Sequence, residues 1–145
     1  MFLSACSTKK IETQTDVTKD KQEESTSLLP SSNTDIDLVN LSANMIYAEV
    51  YDMLSYPQEY DGKTVRLSGL FSAVYESVED NDLRFSCIIP DATACCAQGI
   101  EFVPKSDLVF PEDFPIDNTR VVVTGTLKTG EKDLPIYISD AEIQY

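Results

Sequence analysis

The sequence predicts a mainly β domain, a small five-stranded barrel with one N-terminal helix, preceded by a disordered tether. Three observations predict it. A polar stretch opens the chain, apolar residues then recur once at helical spacing, and from Thr64 onward they alternate with polar residues in short runs. A closed or nearly closed barrel is the economical arrangement for five strands because closure leaves no exposed edge. A sandwich-like or split barrel is the alternative.

The tether is predicted from composition. Residues 7–40 are poor in apolar side chains and rich in Ser, Thr, Gln and mixed charges. Such a segment cannot bury enough apolar surface to offset the entropy of ordering it, so we expect a disordered linker there. The folded domain is expected at 41–145, which is long enough for one hydrophobic core. It carries most of the chain's net charge of −14, because the 25 acids and 11 bases of the chain are unevenly divided.

One helix is predicted at the start of the domain, with Asn44 as its N-cap. Its apolar residues recur at helical spacing and form one face: Ile46, Val50, Met53 and Leu54. Pro57 pushes the residue before it out of the α region, so the helix is expected to end at Tyr56. The pair Asp61-Gly62 then predicts a turn.

Five strands are predicted after this turn. The first starts at Thr64 and alternates to Ala73, and Gly69 in its middle indicates a kink or a close backbone approach. In the second strand, Leu83, Phe85, Cys87 and Ile89 form the inward face. The remaining strands are expected at 100–103, 120–127 and 134–143. Residues 104–118 contain three prolines without a clean period, so we expect a loop there, with one helical turn at most.

The first residues indicate a lipid anchor. Leu3-Ser4-Ala5-Cys6 resembles the lipobox that ends the signal peptide of bacterial lipoproteins. In that family a peptidase cuts before the Cys, and the Cys sulfur carries a diacylglyceryl group. The resemblance implies that residues 1–6 are a signal remnant, that Cys6 is the lipid attachment site, and that the domain lies on the outer face of the cell membrane. No basic and apolar signal regions precede the motif here, so we expect the gene to begin upstream.

The strand pattern resembles an OB-fold. The segment that runs from Tyr60 to Gly69 is similar to the start of the first strand in bacterial OB-like lipoproteins. One departure is clear. An OB-fold usually has a helix between its third and fourth strands, whereas this chain has the Pro-rich segment there and its clear helix comes first.

A cysteine motif is the most distinctive stretch of the domain. Cys95-Cys96-Ala-Gln followed by Gly-Ile-Glu-Phe resembles a motif in small lipoproteins of Gram-positive bacteria. It is also similar to the Cys-Cys-Ala-Ala-Asp-Ala segment in the extracytoplasmic domain of bacterial permease subunits. Gln98 and Gly99 depart from that segment, standing where it has Ala and Asp. The resemblance therefore implies an association with a transporter but carries no activity.

Three interpretations of Cys87, Cys95 and Cys96 stay open from the residues alone. One of the adjacent pair could form a disulfide with Cys87, with Cα atoms ~4.4–6.8 Å apart, as expected in an oxidising compartment. Three thiolates and Asp91 could instead supply four ligands to Zn²⁺ or Cu⁺. Cys87 could also simply pack in the core, because free Cys is among the most buried residue types.

Composition excludes several functional classes. Without His the chain has no Ser-His-Asp or Cys-His pair, and it has no Gly-rich phosphate loop. Its net charge of −14 argues against a nucleic acid as partner. We therefore expect a membrane-anchored binding module with a protein partner or a metal rather than an enzyme, with no catalytic residues and with zinc as the one candidate cofactor. The alternative is a Zn- or Cu-binding or thiol-redox component associated with a transporter.

Overall fold

The computed structural model describes residues 33–77, 82–105, 107–130 and 134–145. In chain order the elements are β1 (Ile36–Asp37), α1 (Ala43–Ser55), α2 (Pro57–Tyr60), β2 (Thr64–Ser77), β3 (Asp82–Pro90), β4 (Ala97–Pro104), β5 (Arg120–Thr129) and β6 (Ile136–Gln144). The predicted signal remnant 1–6, the lipid site Cys6 and the linker up to residue 32 lie outside the described residues. Within the described ranges, neither helix has the length and apolar character needed to cross a bilayer.

The five long strands close into a mixed barrel. Antiparallel pairs join β2 to β3, β3 to β4, β6 to β5 and β5 back to β2. The circle is completed by a parallel pair between β4 and β6. Each long strand therefore has a partner on both sides, which satisfies its backbone groups and confirms the predicted barrel.

Gly69 marks the point at which β2 changes partners. The first half of β2 pairs with β5 up to Leu70, and the second half pairs with β3 from Leu70 onward. A Cβ atom at Gly69 would lie 2.5 Å from the Cys87 Sγ and 2.7 Å from the Ile88 carbonyl oxygen. The predicted close approach is therefore confirmed, and the absence of a side chain at Gly69 is what lets β2 lie against Cys87.

The folded region begins before residue 41. Strand β1 pairs in parallel with β2, and Leu38 directly after it is 4% exposed in the core. The carboxylate of Asp37 lies 3.2 Å from the guanidinium of Arg66, which is itself buried. Residues 33–40, assigned to the linker from composition, thus belong to the domain. Their short apolar run is too brief to show a period, and backbone pairing with a distant strand orders them.

Helix α1 uses a different N-cap from the one predicted. Ser42 takes that position, without a side-chain capping hydrogen bond, and Asn44 lies inside the helix. The helix ends beside Tyr56 as predicted, and its apolar face is buried at Ile46, Val50 and Met53. It packs against β3 and β4, so it covers the barrel where these two strands meet.

The Pro-rich segment between β4 and β5 packs two aromatic side chains onto the barrel. The ring of Phe114 stacks on that of Phe85 with centroids 4.5 Å apart, and Phe110 lies 5.7 Å from Phe114. Phe71 and Phe102 complete this cluster from β2 and β4. Among the described residues of 104–118 there is no helix, so the predicted loop is confirmed.

Candidate functional site: the cysteine loop

The connection between β3 and β4, residues Asp91–Cys96, is called the cysteine loop here. Its two ends meet through a backbone hydrogen bond in which the Asp91 N–H donates to the Cys96 carbonyl at 2.9 Å. Inside it, the Ala94 N–H donates to the Asp91 carbonyl at 3.0 Å, and Ala94 adopts a left-handed φ of 54°. This tight reversal brings positions 91 and 95–96 to one side of the loop.

The Asp91 carboxylate organises the loop from within. Its Oδ1 accepts hydrogen bonds at 3.1 Å from the backbone N–H groups of Thr93 and Cys95, and the Thr93 hydroxyl lies 3.1 Å from both carboxylate oxygens. Partial desolvation opposes the charged form, but hydrogen bonds from Cys95, Thr93 and the loop backbone outweigh it and lower the pKa of Asp91. The carboxylate is therefore ionised and fixed in orientation.

Three ligand atoms converge at the surface of this loop. A carboxylate oxygen of Asp91 and the Sγ atoms of Cys95 and Cys96 all lie within 4.8 Å of one another. The two sulfurs are 3.7 Å apart, and the Cys95 Sγ is 3.3 Å from the Asp91 Oδ2. Adjacent cysteines point apart in an extended chain, but this loop is not extended, so the two thiols turn to the same side.

The spacing of these atoms fits a tetrahedral metal ion. With Zn–S bonds of about 2.3 Å and Zn–O bonds of about 2.0 Å, tetrahedral geometry places two sulfurs about 3.8 Å apart and a sulfur and an oxygen about 3.5 Å apart. The observed 3.7 Å and 3.3 Å agree with both edges. Two sulfurs on opposite sides of an ion would instead be about 4.6 Å apart at the same bond length. These two edges therefore match a tetrahedral site, and the third pair of atoms, on Asp91 and Cys96, lies within 4.8 Å.

Among the described His, Cys, Asp and Glu side chains, none supplies a fourth ligand at this site. The group that could hold an ion contains Asp91, Cys95 and Cys96 alone, and both cysteines are exposed. Structural zinc sites are closed by four protein ligands, whereas sites with three ligands keep a position for water or another molecule. The cysteine loop has the second arrangement.

Cys87 lies apart from this group. It is fully buried, and its sulfur faces Gly69 on the inner side of the barrel. Burial raises the pKa of this thiol to about 12, with a small opposing effect from the positive charge of Arg120. The buried position of Cys87 in the structure corresponds to the packing interpretation.

Two expectations are corrected by this placement. Cys87, Cys95 and Cys96 are all free thiols, so the predicted disulfide between Cys87 and one of the pair is not formed. The predicted metal set of three thiolates and Asp91 loses Cys87, because the cluster of possible ligands contains only Asp91, Cys95 and Cys96. The inward register of β3 points Cys87 into the core, whereas the cysteine loop projects its two thiols into solvent.

Two supporting residues were missed by sequence reasoning. The Asn44 Oδ1 accepts a hydrogen bond from the Ala92 N–H at 3.2 Å, so it ties the cysteine loop to helix α1. The Thr93 hydroxyl lies 3.0 Å from the Cys95 Sγ as well as beside Asp91. A Thr two residues after an Asp is a local turn signal, but the contact from Asn44 spans 48 residues and has no signal in the sequence.

A second concave surface lies elsewhere on the barrel, against β3, β4 and the start of β6. This groove has a volume of about 750 Å³ and is lined in part by Arg84, Phe85 and Tyr137. The guanidinium of Arg84 pairs with the carboxylates of Glu76, Asp82 and Glu101. Arg84 is the one cation among the described residues that line the groove, and these carboxylates already neutralise it.

No family model matches this chain, and no curated protein matches it. The fold and the cysteine loop define a small five-stranded β-barrel domain that carries an adjacent cysteine pair. The functional argument rests on the geometry of that loop.

Proposed function

We propose that this chain is a lipid-anchored extracytoplasmic protein whose barrel domain binds a thiophilic divalent metal ion, zinc by preference, on the cysteine loop. The observation that carries the proposal is the convergence of the Asp91 carboxylate and the Cys95 and Cys96 sulfurs within 4.8 Å. The barrel acts as a rigid support, and the loop presents the ligands to solvent.

The donor set supports zinc over other ions. Thiolates select soft or borderline metals, while carboxylate oxygens favour harder ones, and zinc accepts both. The two sulfur and one oxygen donors are spaced for a tetrahedron rather than for a linear two-sulfur arrangement. The acidic character of the chain, with a net charge of −14, also favours a cation as the bound species.

Metal binding is better supported than thiol catalysis. A reactive low-pKa cysteine needs a nearby cation or a helix N-terminus. The cysteine loop contains no basic residue, and the chain has no His to act as a general base. Although the loop contacts the start of helix α1, the hydrogen bond with Cys95, desolvation and the charge of Asp91 raise the pKa of Cys96. A bound zinc ion would itself supply the positive charge that stabilises both thiolates.

The metal-binding proposal is tested on the full chain carrying Cys6→Ser, so that only the domain cysteines remain. The reduced, metal-stripped protein is titrated with Zn²⁺ and with Co²⁺, whose thiolate complexes absorb strongly, and native mass spectrometry counts the bound ions. We expect one ion per chain. Each of Cys95→Ser, Cys96→Ser and Asp91→Asn is expected to weaken binding by more than about tenfold, or about 1.4 kcal/mol.

The matched control is Glu112→Gln, which removes one exposed carboxylate from the loop between β4 and β5. It changes the net charge as Asp91→Asn does but leaves the cysteine loop intact, so its affinity for zinc is expected to equal that of the parent. Equal loss in both variants would mean that only the overall charge attracts the ion. No binding by the reduced parent would refute the proposal.

The anchor is supported by the resemblance of Leu3-Ser4-Ala5-Cys6 to a lipobox and by the polar tether that follows. In the native cell the protein is expected in the membrane fraction, labelled by a radioactive fatty acid. Cys6→Ala is expected to abolish both, while Cys96→Ala, which removes an exposed thiol of the domain, leaves both unchanged. Recovery of the unaltered protein from the cytoplasm without a lipid would contradict this part of the proposal.

A protein partner is a compatible second role, favoured by the groove beside Arg84. The similarity of the cysteine motif to permease subunits suggests a transporter as that partner, to which the loop would present its metal. Single-stranded DNA is not an expected ligand, because its phosphates require a basic groove. A gel shift at physiological salt is therefore expected to show no complex.

A further inference from the structure

We propose that Cys95 and Cys96 form a reversible disulfide between adjacent residues, and that this oxidation switches off metal binding at the cysteine loop. The gating part rests on the proposed metal-binding function, whereas formation of the disulfide does not depend on it. The observation behind both parts is that the two exposed sulfurs lie only 3.7 Å apart.

Within the described residues, each of these two exposed thiols has the other as its nearest exposed thiol for a disulfide. Cys87 is fully buried beneath Gly69, and the inward register of β3 holds its sulfur away from the loop. A short movement of the two exposed side chains is therefore the direct route to an intramolecular disulfide. A link between Cys87 and either thiol would instead require the buried sulfur of Cys87 to leave its contact with Gly69.

The position of the pair in the fold favours this reaction. Cys95 and Cys96 precede the start of β4 at Ala97, so their peptide can distort without breaking the pairing between β3 and β4. Adjacent Cα atoms are about 3.8 Å apart across a trans peptide, below the usual disulfide range of about 4.4–6.8 Å. A disulfide formed there is strained and exposed, and such bonds are the readily reduced, regulatory ones.

The oxidant is a disulfide of the surroundings, written R–S–S–R, of the glutathione or protein type. The thiolate of one cysteine attacks a sulfur of R–S–S–R, a mixed disulfide forms, and one RS⁻ leaves. The thiolate of the second cysteine then attacks the protein sulfur of the mixed disulfide and releases the second RS⁻. The two protons lost by the cysteines end on the two RSH molecules, so the protein is oxidised by two electrons and R–S–S–R is reduced by two.

Oxidation removes two of the three ligands at once. Once bonded to each other, the sulfurs are no longer thiolate donors, and Asp91 alone remains at the surface of the loop. The coupling is reciprocal, because an ion that needs both thiolates also withholds them from the oxidant. The loop thus reports the thiol–disulfide balance outside the cell as bound or released metal.

The test uses the full chain with Cys6→Ser, equilibrated in glutathione buffers from fully reduced to fully oxidised. The reduced protein is expected to give three free thiols after unfolding, which correspond to the three cysteines now free. The oxidised protein is expected to give one, with a mass lower by two hydrogens and a disulfide mapped to the peptide that contains Cys95-Cys96. Zinc affinity is expected to fall more than about tenfold on oxidation and to return after reduction.

Cys95→Ser and Cys96→Ser are matched controls, since each leaves one exposed thiol. Both are expected to gain a single glutathione instead of an internal bond. Zinc-loaded parent is expected to oxidise at least about tenfold more slowly than metal-free parent.

The outcomes separate the two proposals. An oxidised parent that carries two glutathiones, or that links to a second chain, overturns the adjacent disulfide. A mapped disulfide that leaves zinc affinity unchanged overturns the gate. A reduced protein that binds no zinc refutes the proposed function and with it the control of metal binding by oxidation. The mapped disulfide is still measured independently in the same samples.

Discussion

Cys87 and the pair Cys95-Cys96 belong to one β-hairpin and have opposite surroundings. Cys87 is fully buried on the inner face of β3, and its pKa is raised to about 12 by burial. Cys95 and Cys96 are exposed beyond the end of that strand, beside the carboxylate of Asp91. The residue type is the same at all three positions, so the difference comes from what surrounds the sulfur.

The physical cause is the access of water and ligands to each thiol. The barrel interior offers Cys87 apolar contacts and a glycine, which stabilise only its neutral form. The cysteine loop places two sulfurs and a carboxylate on one solvent-facing side. Negative charge there is tolerated by water, and a metal ion can approach. A thiol inside the barrel therefore contributes packing contacts, whereas the thiols a few residues later are accessible to solvent.

The largest expected effect is on thiol reactivity. In the native protein, a small thiol reagent is expected to label Cys95 and Cys96 promptly and Cys87 only when the domain opens. Since domains are stable by about 5–15 kcal/mol, this opening slows labelling of Cys87 by about 1000-fold or more. Mass spectrometry of quenched samples measures the three rates separately. Comparable rates at Cys87 and Cys95 would break the contrast.

The next effect concerns stability at high pH. The folded protein keeps the Cys87 proton up to about pH 12, whereas the unfolded chain releases it near the ordinary pKa of 9.0. The unfolded state therefore binds fewer protons in this window, and the free energy of unfolding falls as the pH rises from about 9 towards 12. Urea midpoints of the parent and of Cys87→Ala are compared from pH 8 to 11.

Because Cys87→Ala lacks this titrating group, its midpoint is expected to fall less steeply than that of the parent. Ile89→Ala, a buried change on the same face of β3 without a titrating group, is the matched control, and the slope of its profile is expected to follow the parent. Parallel profiles for all three proteins would show that Cys87 is not in an apolar environment.

A third prediction concerns the close contact between β2 and β3. Gly69→Ala is expected to destabilise the domain by roughly 1–3 kcal/mol, because its methyl group would overlap the Cys87 Sγ and the Ile88 carbonyl. Adding Cys87→Ala removes the sulfur but not the carbonyl, so the double variant is expected to recover part of this loss. Denaturant unfolding of the four proteins of the cycle measures the coupling.

Gly62→Ala supplies the control for this cycle. Gly62 has a positive φ of 80° but no atom within 4 Å of an added Cβ. Its cost arises from backbone strain alone and is expected to add to that of Cys87→Ala without coupling. Strict additivity for Gly69 as well would contradict the contact with Cys87.

The smallest effect on stability is expected at Asn44, which joins helix α1 to the cysteine loop. Asn44→Ala removes the acceptor for the Ala92 N–H on an exposed surface. The free energy of unfolding is therefore expected to change by about 0.5 kcal/mol or less. Zinc affinity is expected to fall about tenfold, as is typical when a residue that orients the ligands is removed. Ser42→Ala, at the N-cap without a side-chain bond, is expected to change neither quantity. Equal zinc affinity in both variants would show that the loop is organised without α1.

Local pattern predicted much of the domain. Alternation gave the long strands and the inward position of Cys87, and the break at Pro57 gave the end of the first helix. These features depend on neighbours a few residues apart, which the sequence displays directly. The same reasoning missed β1, because its two residues are held by pairing with Val65 and Arg66 far along the chain.

For the candidate site too, the sequence identified the residues, whereas the fold decided which of them lie together. The sequence singled out Cys87, Cys95, Cys96 and Asp91 but left open whether Cys87 acts with the other two thiols or packs alone in the core. Strand register excludes Cys87, and the left-handed turn at Ala94 brings the other two sulfurs and Asp91 to one side. Neither the direction of a side chain in a loop nor the distance between two strands is a property of residue type.

By itself, the sequence determined that this protein has a polar N-terminal stretch, the helix α1, alternating strands and an adjacent cysteine pair without any histidine. Tertiary structure alone decided which strands are neighbours in the barrel, that Ile36–Asp37 pairs with β2, and that Asn44 supports the cysteine loop. The reason is physical. Periodicity and composition act through local backbone preference and solvation, whereas closure, register and ligand convergence arise from contacts between residues that only the folded chain brings together.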